Sequence, residues 1–265
     1  MMFQRSLLIP LAVLLSIPVH RAQSAPDAAK PAQSAVQPAQ PAEPPAEPLT
    51  PEKRGDIFMA RKAYREAIEQ YKQCPQTAVV LNKTGIARHQ MGTPSDLEAA
   101  KKYYSRAVRK NPRYSEAVNN LGTIYYATKN YRKAVAQYKR ALELSPNSAS
   151  VHSNLGTAFF ARKQFKEAAE SYQKAIALDP EVFEHHSSYG ELLQDRNVEE
   201  RAKFHYYLAK TFAQAGNADR AIQYIRKSIE EGFKDRKKYL EEPEFAALQE
   251  LPEFKEVMAL EPRVL

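Results

Sequence analysis

Three glycines of this 265-residue chain, Gly122, Gly156 and Gly190, lie 34 residues apart. A fixed spacing of this size is the signature of a repeat architecture, in which each structural unit packs mainly on its neighbours. Only eight glycines are present in the whole chain, which is few for a sheet protein with many tight turns. The spacing therefore predicts a stack of similar units built from helices.

Two complete units, residues 115–148 and 149–182, have similar residue types at the same positions. Apolar residues recur three and four positions apart, which predicts two amphipathic helices in each unit. Small residues stand where the two helices must approach closely, and large ones fill the spaces between their turns. The matching positions are Val118, Leu121, Gly122, Tyr125, Ala134, Tyr138, Ala141 and Pro146 in one unit, and His152, Leu155, Gly156, Phe159, Ala168, Tyr172, Ala175 and Pro180 in the next.

This pattern resembles the tetratricopeptide repeat, which reads W-x2-L-G-x2-Y, then A-x3-F, then A and P. Val118 and His152 depart from it at the tryptophan position. The resemblance covers about residues 48–235, and with a terminal cap it implies a repeat domain over 52–265. It implies an all-α fold, a right-handed α-solenoid of about five helix pairs, and a protein that binds other proteins without catalysis.

Less regular units precede the two complete ones. Residues 48–77 form the first unit, in which Cys74 is interpreted as a small buried packing residue. Residues 78–114 form the second unit, which is three residues longer than the others between its glycine and its alanine. We assign the three extra residues to a longer loop between the helices, at Thr93-Pro94-Ser95.

Downstream of residue 182 the phase of the repeat is ambiguous. The segment 199–214 fits either as the second helix of one unit or as the first helix of the next. We favour the second interpretation, with a unit over 202–235 and an extra helix over 183–194. The tail, residues 236–265, is predicted to cap the last pair, because a solenoid must cover its exposed end. The apolar residues assigned to this cap are Leu240, Phe245, Leu248 and Leu251.

The N-terminal region lacks the repeat pattern. Residues 1–24 are predicted to be an export signal, with a positive charge, an apolar run over 6–19 and small residues at a cleavage site. This run is too short to span about 30 Å of hydrocarbon as a helix. Residues 25–51 are rich in proline and alanine and are predicted to be a disordered linker. We expect an exported protein, periplasmic or secreted; the alternative is an uncleaved segment that holds it at the membrane.

In tetratricopeptide proteins the first helix of each pair lines a concave groove. The resemblance implies that these residues contact a partner protein or peptide: Asn82, Lys83, Asn119, Asn120, Thr123, Tyr126, Asn154, Thr157 and Phe160. Asn120 and Asn154 resemble the asparagine ladders that bind peptide backbone in some members, because an amide both donates and accepts hydrogen bonds. The alternative is that these residues are simply common in the repeat. The two-carboxylate clamp of chaperone-tail binders is absent, since of its five positions only Asn120 matches.

Catalytic motifs are missing from the chain. His185 and His186 are adjacent, so on a helix they point about 100° apart and do not readily share a metal ion. No glycine-rich phosphate loop, nucleophile elbow or paired metal-ligand motif is present. The single cysteine excludes an intramolecular disulfide. We expect neither enzymatic activity nor a cofactor or metal.

Basic residues concentrate on the predicted second helices of two units, and the net charge is +8. They are Lys101, Lys102, Arg106, Arg109, Lys110 and Arg113 near the first of these helices, and Arg132, Lys133, Lys139 and Arg140 on the next. Our preferred interpretation is a solvated surface. The alternative function is weak binding of anionic envelope lipid or glycan by a basic convex face. Nucleic acid is not an expected partner. After signal cleavage, no membrane-spanning segment is expected.

Overall fold

Helices are the regular elements of the chain throughout the residues described by the computed structural model, 48–184 and 197–260. In chain order they are α1 (Pro51–Ala60), α2 (Tyr64–Lys72), α3 (Ala78–Met91), α4 (Pro94–Lys110), α5 (Ser115–Ala127), α6 (Tyr131–Leu144), α7 (Ala149–Ala161), α8 (Phe165–Leu178), α9 (Val198–Gln214), α10 (Ala218–Glu230), α11 (Lys238–Glu241), a 3-10 helix (Pro243–Leu248) and α12 (Pro252–Met258). Successive helices pack in antiparallel pairs, α1 with α2 through α9 with α10, and form a helical solenoid. No helix in the described ranges is long and apolar enough to cross a membrane.

Several sequence predictions concern residues outside the described ranges. These are the export signal, the linker as far as residue 47, and the extra helix from residue 185 onward, together with His185, His186 and Gly190.

The repeat glycines occur where the two helices of a pair approach each other closely. A Cβ atom added at Gly122 would lie 2.7 Å from Cε1 of Tyr138, and one at Gly156 would lie 2.4 Å from Cε1 of Tyr172. Both tyrosines are completely buried. The same contact recurs in four pairs, Gly55–Tyr71, Gly85–Tyr104, Gly122–Tyr138 and Gly156–Tyr172. A tyrosine ring from the second helix therefore occupies the space that a side chain on the first helix would need.

The boundaries of the regular helices follow from capping residues. The side chain of Asn130 accepts a hydrogen bond from the backbone N–H of Lys133 and so caps the start of α6. Ser148 caps α7 in the same way through the N–H of Val151. Pro146 follows the end of α6, as its inability to continue a helix predicts.

The three extra residues of the second unit lengthen a helix, and the predicted loop at Thr93-Pro94-Ser95 is wrong. Helix α3 ends at Met91 and α4 already begins at Pro94, so α4 has 17 residues where α6 and α8 have 14. Thr93 caps α4, since its hydroxyl oxygen accepts from the N–H of Asp96 at 3.1 Å. Proline is well tolerated at the first position of a helix because its missing N–H has no partner there. The capping Thr93 and the following Pro94 therefore let α4 start about one turn earlier than α6 and α8 do.

The fifth pair, α9 and α10, solves the same packing problem with different residues. Counting from the repeat position of Gly122, Ala209 stands where the other pairs have glycine, and Ile225 stands where they have tyrosine. Both are completely buried. The first helix thus gains a methyl group, and the second helix carries a smaller side chain in return.

The C-terminal segment covers the fifth pair, although one of the four predicted cap residues is wrong. Phe245 and Leu248 are buried, but 55% of Leu240 is exposed. The preceding residue, Tyr239, points inward instead, with its ring 5.6 Å from that of Tyr206 and 5.1 Å from that of Phe245. Because α11 is a single short turn, only one of these two neighbouring apolar side chains can face the core.

Candidate functional site

The predicted asparagines bond to one another across three successive first helices. Nδ2 of Asn120 on α5 donates to Oδ1 of Asn82 on α3 at 3.0 Å. Nδ2 of Asn154 on α7 donates to Oδ1 of Asn119 at 3.1 Å, and Asn119 donates to Asn120 at 3.4 Å. At the α3 end, Asn82 donates to the hydroxyl of Tyr114 at 3.4 Å. We call Asn82, Asn119, Asn120 and Asn154 the asparagine ladder.

The asparagine ladder joins the repeats and is largely buried at both ends. Only 4% of Asn82 and 6% of Asn154 are exposed, whereas Asn119 and Asn120 are half-buried. A primary amide has two N–H donors and an oxygen with two lone pairs. Part of that capacity is used between helices, and the two middle asparagines are the more exposed members of the ladder.

Three other predicted contact residues make internal bonds. Nζ of Lys83 lies 2.8 Å from a carboxylate oxygen of both Glu52 and Asp56, which ties α3 to α1. Burial alone would lower the pKa of Lys83, but the bonds to these two carboxylates outweigh it and raise the pKa. The hydroxyls of Thr123 and Thr157 donate to the backbone carbonyls of Asn119 and Ser153.

A cavity of about 680 Å³ opens where the first helices end and the second helices begin. We call it the turn-edge cavity. Its lining residues are His89, Gln90, Gly92, Leu97, Thr123, Tyr126, Ala127, Lys129, Tyr131, Phe160, Ala161, Lys163, Phe165, Asn197, Glu199, Glu200 and Lys203. Of the predicted contact residues it includes Thr123, Tyr126 and Phe160. Lys83, Thr157 and the asparagine ladder lie elsewhere.

Aromatic rings form the floor of the turn-edge cavity. Tyr126 and Phe160 are buried, and each packs against the first aromatic residue of the following helix, Tyr131 at 5.2 Å and Phe165 at 5.4 Å between ring centroids. The ring of Phe165 stacks on Tyr207 of α9 at 4.9 Å. These contacts hold the rings in place, so the floor is already formed without a ligand.

Lysines occupy the left-handed backbone region at three of the turns between paired helices. The φ angles of Lys62, Lys129 and Lys163 are 58°, 59° and 62°. At the same repeat position the other two described turns have glycine, Gly92 at 76° and Gly216 at 73°. This conformation costs a residue with a Cβ atom about 1 kcal/mol, whereas glycine adopts it freely. Lys129 and Lys163 line the turn-edge cavity; Lys62 does not.

Charges of both signs surround the cavity. Glu199 and Glu200 stand in the first turn of α9, where a negative charge complements the helix dipole. Nζ of Lys203 lies 4.1 Å from the centroid of the Phe165 ring, a cation–π contact. Burial lowers the pKa of His89, because it disfavours the charged imidazolium. No group of three or more His, Cys, Asp or Glu side chains within the described ranges could hold a metal ion.

Comparison with protein families identifies the repeat. A model described as TPR repeat matches residues 122–161, and two models described as tetratricopeptide repeat match 149–182 and 186–234. The chain contains tetratricopeptide repeats. No curated protein matches it.

Solved structures similar to this chain include two of MamA. A crystal structure of MamA protein is 20% identical, with 72% of this chain and 93% of that chain covered and a TM-score of 0.47. MamA from residue 41 to its end, from Desulfovibrio magneticus RS-1, is 20% identical, with 66% of this chain and 89% of that chain covered and a TM-score of 0.47. Similarity at this level carries no information on partners.

Sequence reasoning missed the lysines of the tetratricopeptide turns. Lys129 and Lys163 both lie seven residues after a repeat glycine, at the place that Gly92 occupies after Gly85. A lysine where a neighbouring repeat has glycine is a detectable signal, because the position requires a positive φ. The role of α9 in the cavity was not detectable in this way, since it depends on contacts across the array.

Proposed function

We propose that this tetratricopeptide protein is a non-catalytic interaction scaffold that holds a partner peptide or protein in the concave groove of its repeats. The turn-edge cavity is the observation that carries the proposal. It is concave, it has a preformed aromatic floor with polar groups at its rim, and residues from four successive helix pairs line it. Binding sites in proteins typically have these properties.

Within the groove, we propose that the middle of the asparagine ladder makes the main contact with the partner. Asn82 and Asn154 are buried, whereas Asn119 and Asn120 are half-buried, so the middle asparagines are the ones more accessible to a partner backbone. The buried rings of Tyr126 and Phe160 form the apolar floor of the turn-edge cavity. We therefore propose that a partner segment runs along the groove with its anchoring side chain in the turn-edge cavity.

Filling the cavity tests this proposal. Ala127 and Ala161 line the cavity and are half-buried, so Ala127→Trp and Ala161→Trp would occupy its volume without entering the core. Ala136→Trp, on the exposed face of α6, is the matched control. A photo-crosslinking amino acid at residue 90, on the cavity rim, would report the partner in an extract. We expect one main crosslinked partner that both cavity variants lose and the control keeps. Equal crosslinking in all variants would refute the proposal.

A second candidate function rests on the charge of the middle repeats. Residues 99–142 contain eleven lysines and arginines and a single acidic residue, Glu116. Several of these cations lie beside aromatic rings, for example Arg106 over Tyr103 at 5.5 Å. A field of one sign attracts anionic surfaces. Sedimentation with phosphatidylglycerol vesicles tests this candidate: binding should disappear at about 0.5 M salt, because exposed charges are then screened. No binding at low salt would refute it.

We further propose that the protein acts outside the cytoplasm. The support is the sequence of residues 1–24, with its short apolar run and small residues before Ala25. N-terminal sequencing of the protein from fractionated cells tests this. Export with cleavage gives a mature chain that starts near Ala25 in the periplasm or medium. A full-length chain in the membrane fraction indicates the uncleaved anchor, and a cytoplasmic one refutes export.

A further inference from the structure

We infer that the turn-edge cavity takes an extended acidic segment, whose apolar side chain lies on the aromatic floor while its carboxylates pair with Lys129 and Lys163. This inference rests on the proposed function and adds the chemistry of the partner. Its three supports are the backbone conformation of the two lysines, the absence of an ion pair at either lysine within the described ranges, and the charges on the opposite wall.

The first support is a conformation that the fold does not require of lysine. Gly92 and Gly216 show that glycine, which adopts a positive φ without strain, fits the same turn. Lys129 and Lys163 nevertheless hold φ angles of 59° and 62° in successive repeats. Unfavourable backbone conformations that recur at a cavity are typical of functional positions. Lys62 adopts the same conformation away from the cavity, so what distinguishes Lys129 and Lys163 is that they combine this conformation with a place in the cavity lining.

The second support is that both ammonium groups are available. Lys129 and Lys163 are exposed, and neither forms an ion pair with any residue in the ranges 48–184 and 197–260. The two lysines stand one repeat apart, and packed neighbouring helices lie about 8–10 Å from each other. An extended chain advances about 3.3 Å per residue, so carboxylates about three residues apart would reach both lysines.

The third support is the asymmetry of the cavity rim. Glu199 and Glu200 face the cavity from the start of α9, without an ion pair among the described residues. Lys203, on the same helix, lies over the ring of Phe165. An acidic segment is thus attracted at the turns of the third and fourth repeats and repelled at α9. The carboxylates of the partner are therefore expected beside the turns and away from α9, which sets the orientation of the segment in the cavity.

Lysine-to-glycine substitutions provide a test in which charge is removed and backbone strain is relieved together. The test variant is Lys129→Gly/Lys163→Gly, and the matched control is Lys62→Gly, which has the same conformation outside the cavity. The probes are fluorescein-labelled heptapeptides with a central leucine flanked by glutamates, compared with the same peptides in which lysine replaces glutamate. Affinity is measured by fluorescence anisotropy and stability by thermal unfolding, both on the full chain.

We expect the acidic peptides to bind more tightly than the lysine peptides. The double variant should weaken acidic binding about five- to tenfold, as the loss of two exposed ion pairs predicts. Lys62→Gly should bind like the original protein, and no variant should melt at a lower temperature. Glu199→Gln/Glu200→Gln should strengthen binding. Equal affinity for both peptide sets, or equal affinity of the double variant and the control, would overturn the inference while leaving a groove partner found by crosslinking intact.

Discussion

The regular pairs and the last pair of the array fill the contact between their two helices with different residues. In α5–α6 and α7–α8, a glycine on the first helix admits a tyrosine ring from the second. In α9–α10, Ala209 and Ile225 stand at those positions and are just as completely buried. The summed volume of glycine and tyrosine is similar to that of alanine and isoleucine, although both residue types differ. A repeat position is therefore constrained jointly with the position it contacts, and a single-position consensus does not describe that constraint.

The largest expected effect comes from placing the tyrosine of the regular pairs in the last pair. Ile225→Tyr adds a ring against the methyl group of Ala209, and overpacking of this kind should cost about 3 kcal/mol of unfolding free energy. Ala209→Gly in the same chain should restore most of it. Chemical denaturation of the two single variants and the double variant measures this coupling. Additive effects would show that the two positions do not share their space.

The converse exchange in a regular pair should have a somewhat smaller effect. Gly156→Ala places a Cβ atom 2.4 Å from the Tyr172 ring and 3.1 Å from the carbonyl oxygen of Ala168. We expect a loss of about 2 kcal/mol, because overpacking outweighs the better helix propensity of alanine. Tyr172→Ile should then be less harmful in the Gly156→Ala background than alone. If Gly156→Ala stabilises the protein in denaturation experiments, the close approach is wrong.

The asparagine ladder joins the first helices of the second, third and fourth pairs, whereas ion pairs of Arg201 and Lys210 join α9 to the segments that follow it. Asn120→Ala leaves the buried Oδ1 of Asn82 without its donor, which should cost about 1–2 kcal/mol. This loss should be the same at low and high salt. Asn147→Ala, at an exposed asparagine in the turn before α7, is the control and should change stability little. A loss equal to that of the control would mean that the ladder does not hold the repeats together.

The smallest expected effect is a dependence on pH in the last pair. Burial alone would raise the pKa of Glu231, but its bonds with His205 at 2.6 Å and Arg201 at 3.2 Å outweigh burial and lower it. A carboxyl group with a lowered pKa stabilises the fold above its unfolded pKa, and this contribution is lost as the pH falls through the folded pKa. Glu231→Gln should therefore lower the melting temperature at pH 7 and progressively less below pH about 4.5. A difference that is constant with pH would contradict this.

The fold could be predicted from the sequence wherever a residue acts through its immediate neighbours along the chain. The 34-residue spacing of Gly122 and Gly156 predicted the unit, and Asn130 correctly predicted the start of α6. The extra residues at Thr93 were misassigned because a threonine before a proline begins a loop and a helix equally well. Only its hydrogen bond from Asp96 decides between them.

The candidate site was less predictable because its geometry depends on distances between helices. The repeat pattern placed Asn120 and Asn154 on the groove face, but it could not show that each amide reaches an asparagine on a neighbouring helix. Tyr126 and Phe160 were assigned to the groove, and the structure places them at the bottom of a cavity. That cavity exists because the turns of three successive helix pairs and the start of α9 meet, which no local pattern contains.

The unusual length of α4 is expected to favour correct packing of the two similar repeats during folding. Residues 115–148 and 149–182 share the same repeat pattern, and similar repeats can be exchanged between two molecules during folding. The 17-residue α4 precedes them, and the Ala209–Ile225 pair lies beyond them. The two ends of the similar stretch therefore meet different neighbours. We expect this irregularity at the borders to favour one order of the two similar units over an exchanged one.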